Sequence, residues 1–183
     1  MTTRYALLLR GINVGGSRKV PMAALREVLA ELGHSDVTTY LQSGNAAFSS
    51  SSGDDEQALA AALERAIEKH FGFNVDCLVR DHAYLTAVRD DCPFPADELE
   101  SKQLHVTYYS EQVAADRLAA VDRAAFAPED FRLGDRALYL YLPEGLGRSK
   151  LAETLAKPRL LPGVIATTRN WNTVRKLVEL TTQ

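Results

Sequence analysis

Residues 5–33 read YALLLRGINVGGSRKVPMAALREVLAELG, and two successive periodicities in this stretch decide the fold. Tyr5 to Ile12 is a short apolar run bounded by Gly11, the pattern of a buried strand. Pro21 suits the first turn of a helix, where its missing N–H costs nothing. Leu25, Val28, Leu29 and Leu32 then recur at helical spacing up to the stop at Gly33. A strand, a glycine-rich loop and an amphipathic helix therefore open the chain.

The same grammar continues outward. Val37–Gln42 and Ala46–Ser49 read as two strands of a hairpin around Ser43-Gly44-Asn45, residues that tolerate positive φ. Asp54, Asp55 and Glu56 favour a helix N-terminus, and Leu59, Ala62, Leu63, Ala66 and Ile67 carry one apolar stripe to Gly72. A strand over Val75–Arg80 and a short helix over His82–Asp90 follow. Cys92-Pro-Phe-Pro and the acidic Asp97–Glu100 combine stiffness with charge and mark a boundary. The plan then restarts. Leu104–Tyr109 reads as a strand, Glu111–Phe126 as a helix, Phe131–Leu142 as a hairpin turning at Gly134-Asp135, and Ser149–Ala156 as a helix. Val164–Thr168 is the last strand and Thr173–Leu180 the last helix. Each half is strand, helix, strand, strand, helix, strand, helix. This predicts an α+β protein of two tandem ferredoxin-like (βαββαβ plus helix) subdomains packed together, residues 1–92 and 101–183, with 93–100 as linker. Arg80-Asp81 and Arg169-Asn170 echo each other, an arginine and a helix-capping residue closing each last strand.

Composition narrows the function classes. The 183 residues are 46% hydrophobic and 25% charged, the balance of a globular protein rather than a disordered or fibrous one. No apolar run approaches the roughly 18 residues of a membrane span, and MTTRYALLLRG lacks the features of a secretory signal, so a cytoplasmic protein without a membrane partner is expected. Cys77 and Cys92 stand apart from each other and from histidines at metal spacing, and His34, His70, His82 and His105 show no ligand pattern. No metal or cofactor is expected. The net charge of −3 argues against a general nucleic-acid coat, but its distribution is uneven: +2 over residues 1–50, −8 over 51–100, balanced over 101–150 and +3 over 151–183.

The basic ends carry the unusual loops. Arg10-Gly11-Ile12-Asn13-Val14-Gly15-Gly16-Ser17-Arg18-Lys19 can turn backbone N–H groups onto a phosphate or carboxylate, with the cations completing the cradle. It matches neither a P-loop, which needs Lys then Ser or Thr after its last glycine, nor the dinucleotide fingerprint, where Asn13 occupies the place of the second glycine. A crossover turn with solvated cations is the competing reading. Ser43 lacks the flanking glycines of a nucleophile elbow, leaving Gln42, Ser43 and Asn45 as turn or polar binding residues. Alternation can set Arg10 with Ala6 and Leu8, Gln42 with Tyr40, and Arg80 with Leu78 on an open sheet face. Arg148 and Lys150 flank Ser149 at one helix start, and Arg169 and Asn170 precede another. Arg10, Lys19, Arg148, Lys150 and Arg169 are expected to converge with the Gly11–Gly16 backbone on one basic site. Tyr139 and Tyr141 share one strand face, which suits stacking or packing.

LLRGINVGG (8–16), TYLQSGN (39–45), GRSKL (147–151) and TTRNWNTV (167–174), in this order and spacing, resemble the bacterial domain of unknown function family 1697. The resemblance implies two similar α/β subdomains related to the ferredoxin-like plan and supplies no established activity, cofactor or catalytic residue. The leading expectation is a binding protein for an anionic ligand, whether a nucleotide, a phosphorylated metabolite or a nucleic-acid phosphate. Its site would comprise Arg10, Gly11, Asn13, Gly15, Gly16, Lys19, Gln42, Ser43, Asn45, Arg148, Lys150, Arg169 and Asn170. A small transferase or hydrolase acting on such a ligand, with Asn13, Ser43 or Asn45 polarising it, is the alternative. A protein-interaction module using the tyrosine face is a third reading.

Overall fold

The computed structural model describes residues 1–183. It contains two four-stranded antiparallel sheets and five α-helices. The chain divides into two compact units, Met1–Thr86 with Leu177–Gln183, and Ala87–Lys176.

In the first unit β1 (Thr3–Leu9), α1 (Met22–Glu31), β2 (Ser35–Tyr40), β3 (Asn45–Ser50), α2 (Glu56–Phe71) and β4 (Cys77–Asp81) follow in order, and the sheet order is β2-β3-β1-β4. Leu7 and Leu9 of β1, Ala46 and Phe48 of β3 and Val79 of β4 form a core with Leu25, Val28 and Leu29 of α1 and Leu59, Leu63 and Ile67 of α2. Most of the helical stripes read from sequence are these core contacts; Leu32, expected on the stripe of α1, is exposed instead, and Ala62 of α2 is only half-buried. The other sheet face is buried as well: Ala6, Leu8 and Ala47 are fully inaccessible, and Leu78 and Arg80 nearly so. Burial on both faces explains why β1 reads as a continuous apolar run. It also removes the open polar face expected for Arg10, Gln42 and Arg80.

Two acids of α2 reach the free edge of the sheet. Glu64 Oε1 accepts the Cys77 N–H at 3.0 Å and Glu56 Oε1 accepts the Asp81 N–H at 2.8 Å, so both ends of edge strand β4 have their outward donors satisfied. The end of the chain also belongs to this unit. Arg4 Nε donates to the Leu180 carbonyl at 2.7 Å, and His82 Nδ1 lies 3.0 Å from Thr181 Oγ1.

α3 (His82–Asp90) passes from the first unit into the second. There β5 (Leu104–Tyr109), β6 (Asp130–Gly134), β7 (Ala137–Tyr141) and β8 (Ala166–Asn170) form a sheet of order β6-β7-β5-β8, with α4 (Lys150–Leu155) before β8. α5 (Trp171–Thr181) starts in this unit and ends in the first. Residues 93–100, expected as a linker, form bends and the 3₁₀ turn Ala96–Glu98. The helix expected over Glu111–Phe126 is not formed; two 3₁₀ turns, Ala115–Leu118 and Arg123–Phe126, stand in its place. Val113 and Leu118 are five residues apart, a spacing that puts them on different sides of an α-helix, and Ala125 is exposed. Asp122 further stops any continuous helix by accepting the Ala124 N–H at 3.1 Å. No helix is long and apolar enough to cross a membrane.

Candidate functional site

The glycine loop leaves β1 after Leu9 and returns at Pro21, the residue before α1. Asn13 organises it. Its φ of +56° is one that asparagine tolerates, its Oδ1 accepts the Val20 N–H at 2.8 Å, and its Nδ2 donates to the Val20 carbonyl at 3.0 Å. The side chain thereby imitates a backbone strand partner and closes the loop at its base. The same Nδ2 donates to the Gln42 carbonyl at 2.7 Å. Gly15 and Gly16 both have positive φ, and a bridge between Val14 and Ser17 makes the tip a miniature hairpin.

The β2–β3 turn is fastened against this loop. The Leu9 N–H donates to the Gly44 carbonyl at 2.9 Å, and a Cβ at Gly44 would lie 2.8 Å from Leu9 Cβ and 2.9 Å from Ile12 Cδ1. With φ at +95° besides, the position has room only for glycine. Asn45 Nδ2 donates to the Tyr40 carbonyl at 2.9 Å and to Ser43 Oγ at 3.3 Å, holding the turn that presents Gln42. Sequence reading singled out these residues as polar binding groups; Asn13 and Asn45 spend their side chains on the loops themselves.

What these loops leave open is a cavity of about 380 Å³ lined by Asn13, Gly16, Lys19, Pro21, Met22 and Gln42. The first turn of α1 therefore faces it. Pro21 provides no side-chain cap to this helix, and its first turn holds no acid. The other four helices are capped from within the chain: Asp55 accepts the Ala58 N–H, Asp81 that of Tyr84, Ser149 that of Ala152 and Asn170 that of Thr173. The equivalence of Asp81 and Asn170 is the one foreseen from the Arg-Asp and Arg-Asn echo. Lys19 is exposed at the cavity rim, and Arg18 stands beside it with φ at +48°.

Arg10 is half exposed and pairs with Asp76 at 3.4 Å. It does not approach Arg80, although their strands are neighbours. The antiparallel register sets Leu9 opposite Cys77 and Ala6 opposite Arg80, which separates the two arginines by about 13 Å along the strand. Arg80 is instead buried, donating to the Val79 carbonyl at 2.7 Å, 3.6 Å from Glu56 and over the Tyr84 ring.

In the second unit the expected residues have separate engagements. Arg169 is buried, donates to Thr167 Oγ1 at 2.7 Å and to the Thr168 carbonyl at 3.1 Å, and burial brings its pKa down to about 10. It remains cationic at neutral pH. Asn170 caps α5, Lys150 lies 3.7 Å from Glu153, and Arg148 is exposed at the end of the 3₁₀ turn Leu146–Arg148. Ser149, besides capping α4, donates to Glu129 Oε2. Tyr139 is buried with its hydroxyl donating to the Val88 carbonyl at 2.6 Å. Cys77 is buried and its thiol pKa is pushed up by burial; Cys92, half buried, is shifted in the same direction, so neither thiol is activated.

The chain is thus a mixed α+β protein of two four-stranded antiparallel sheets, the first of which displays an Asn13-held glycine loop beside a helix without a side-chain cap. The chain belongs to the family described as Protein of unknown function (DUF1697), whose model matches residues 1–139. Both the glycine loop and the β2–β3 turn lie within that match. Among solved structures it is similar to the conserved bacterial protein SP0830 from Streptococcus pneumoniae, at 27% identity and a TM-score of 0.77, with 100% of each chain covered. No curated protein matches the chain.

Proposed function

We propose that the protein binds a phosphate-bearing ligand in the cytoplasm, at the cleft between the glycine loop and the start of α1. The observation that carries this reading is the N-terminus of α1, which alone among the five helices has no side-chain cap and whose Pro21 and Met22 line a cavity with a lysine at the rim. Unpaired N–H groups and the helix dipole favour an anion, and Lys19 adds a full charge to the partial ones. Gly16 lets the backbone line the cavity without a side chain in the way. A nucleotide, a phosphorylated metabolite or a nucleic-acid phosphate all present this group. The fold that holds the cleft is, in our reading, ferredoxin-like in each unit. That assignment is supported by two sheets of equivalent order, each with the first strand between the third and fourth.

The test is a titration of ¹⁵N-labelled protein with pyrophosphate and with ATP, followed by amide shifts. Shifts should centre on Gly16, Lys19, Met22 and Ala23, and Lys19→Ala should weaken binding about fivefold, the loss of one charge-assisted contact. Lys150→Ala should leave it unchanged. Absence of shifts at the start of α1 at about 10 mM of either anion, far above any useful affinity, would reject the site.

A further inference from the structure

A second concavity lies elsewhere in the first unit, between the outer surfaces of α1 and α2. It measures about 510 Å³, larger than the loop cleft. Its floor includes Ala62 and Ala66 of α2, one turn apart, whose short side chains leave room for close approach by another backbone. Leu32, at the C-terminal cap of α1, stands at its margin 39% exposed, one of few large apolar side chains the protein leaves in water.

The charges of α2 are sorted about this groove. Glu56 and Glu64 turn to the β4 edge, where backbone N–H groups occupy them, and Glu68 is exposed but does not line the groove. Arg65 and Lys69, also one turn apart, turn to the groove, are exposed, and pair with no carboxylate of the chain. Glu31 of α1 is the single acid on the lining. A helix that keeps its three acids off the groove while two of its bases line an apolar trough is half of a complementary pair.

We propose that this groove docks an acidic amphipathic helix of a protein partner, with apolar residues on the floor and carboxylates along the flank that faces α2. The lining from Ala62 to His70 spans about 12 Å of helix, so two turns of partner are held. Glu31 on the opposite wall repels a second acidic flank, which fixes the direction in which the partner's charged side faces. A nucleic-acid backbone fits less well, because it would set phosphates over an apolar floor and against Glu31.

The probe is a synthetic 16-residue helical peptide with leucines at helical spacing and glutamates on one flank, compared with its twin carrying lysines there. Anisotropy should show micromolar binding of the acidic peptide to the full-length protein, weakening with salt, and labelled-protein shifts should centre on Leu32, Ala62 and Lys69. The double reversal Arg65→Glu, Lys69→Glu should cost about tenfold or more in affinity and transfer the preference to the lysine peptide. Both positions are exposed, and an unchanged circular dichroism melt verifies folding. Lys19→Ala should have no effect, which separates this surface from the anion cleft. The proposal is overturned if neither peptide shifts the α1–α2 amides at about 1 mM, or if the two peptides bind alike. It is also overturned if an oligonucleotide binds these residues in preference to the peptide, or if sedimentation shows a self-associated dimer that the double reversal dissolves.

Discussion

His105 is the residue whose environment most contradicts its chemistry. It sits in β5 between Leu140 of β7 and Asn170 of β8, is 5% exposed, and its Nδ1 has no hydrogen-bond partner. Burial lowers its pKa to about 4. Between pH 6.5, the ordinary value, and pH 4, the unfolded chain therefore takes up a proton that the native chain refuses. Stability falls as pH falls through that window, by up to about 3 kcal/mol, and this contribution is constant above and below it. His34, also lowered by burial, adds a smaller effect of the same sign. Replacing His105 by leucine should raise the urea midpoint at pH 4.5 while changing it far less at pH 7; equal shifts at the two pH values would show that the imidazole does not titrate this way. Composition and spacing identify four histidines as no metal set, yet no local pattern separates the buried one from the others. His105 alternates with Leu104 and Val106 in a strand buried on both faces, so both phases of the alternation are apolar sites. The site residues show the same limit. The glycine loop and the turn at Ser43-Gly44-Asn45 were legible because positive φ demands particular residue types. That Asn13 would bond across to Gln42 and spend its side chain on the loop was not, since it depends on the packing of two loops 29 residues apart.

Among the elements, those with regular periodicity were legible and the one without was not. α1, α2 and α3 fall within two residues of their expected limits because apolar stripe and boundary residues agree, Pro21 and Gly33 for α1, Asp55 and Gly72 for α2. The 111–126 segment has alanines that favour a helix and too few inward positions to hold one, and in short segments tertiary packing outweighs propensity. The open face expected from strand alternation failed for a related reason: alternation reports which residues share a face, and not whether that face meets water. The Glu64 contact is an element-scale device that local patterns cannot reveal, because it joins a helix to a strand edge through one backbone donor. Glu64→Ala leaves the Cys77 N–H without its acceptor and should cost about 1–2 kcal/mol in chemical denaturation. It should also increase aggregation on warming, since an edge with an unpaired donor is a template for another strand. Glu64→Gln keeps an acceptor oxygen and should restore most of both. A Gln variant as unstable as the Ala variant would show that the charge, rather than the acceptor, matters.

At the scale of the molecule the notable fact is that the first unit is not continuous in sequence. Leu177–Gln183 return to it, and the attachment is specific: the Arg4 guanidinium holds the Leu180 carbonyl, and Thr181, fully buried, meets His82. Leu177 and Val178 are buried as well, and full burial of such side chains contributes on the order of 1.5–3 kcal/mol each. Together these terms are comparable with the whole stability of a small domain, roughly 5–15 kcal/mol. A fragment of residues 1–92 would carry all four strands and both crossover helices of its sheet and still lose the Leu180 carbonyl that Arg4 holds and the Thr181 hydroxyl that His82 meets. It should therefore be expressed as a loosely packed species, with near-ultraviolet dichroism weak and amide exchange fast. Deleting only residues 177–183 from the full chain should lower the melting temperature by 10 °C or more, about what loss of several kcal/mol gives in a chain of this size. Arg4→Ala tests one contact of that attachment and should produce a smaller shift in the same direction. If the 1–92 fragment instead melts cooperatively at the temperature of the intact protein, the terminal segment is an ornament of the first unit and not part of its core.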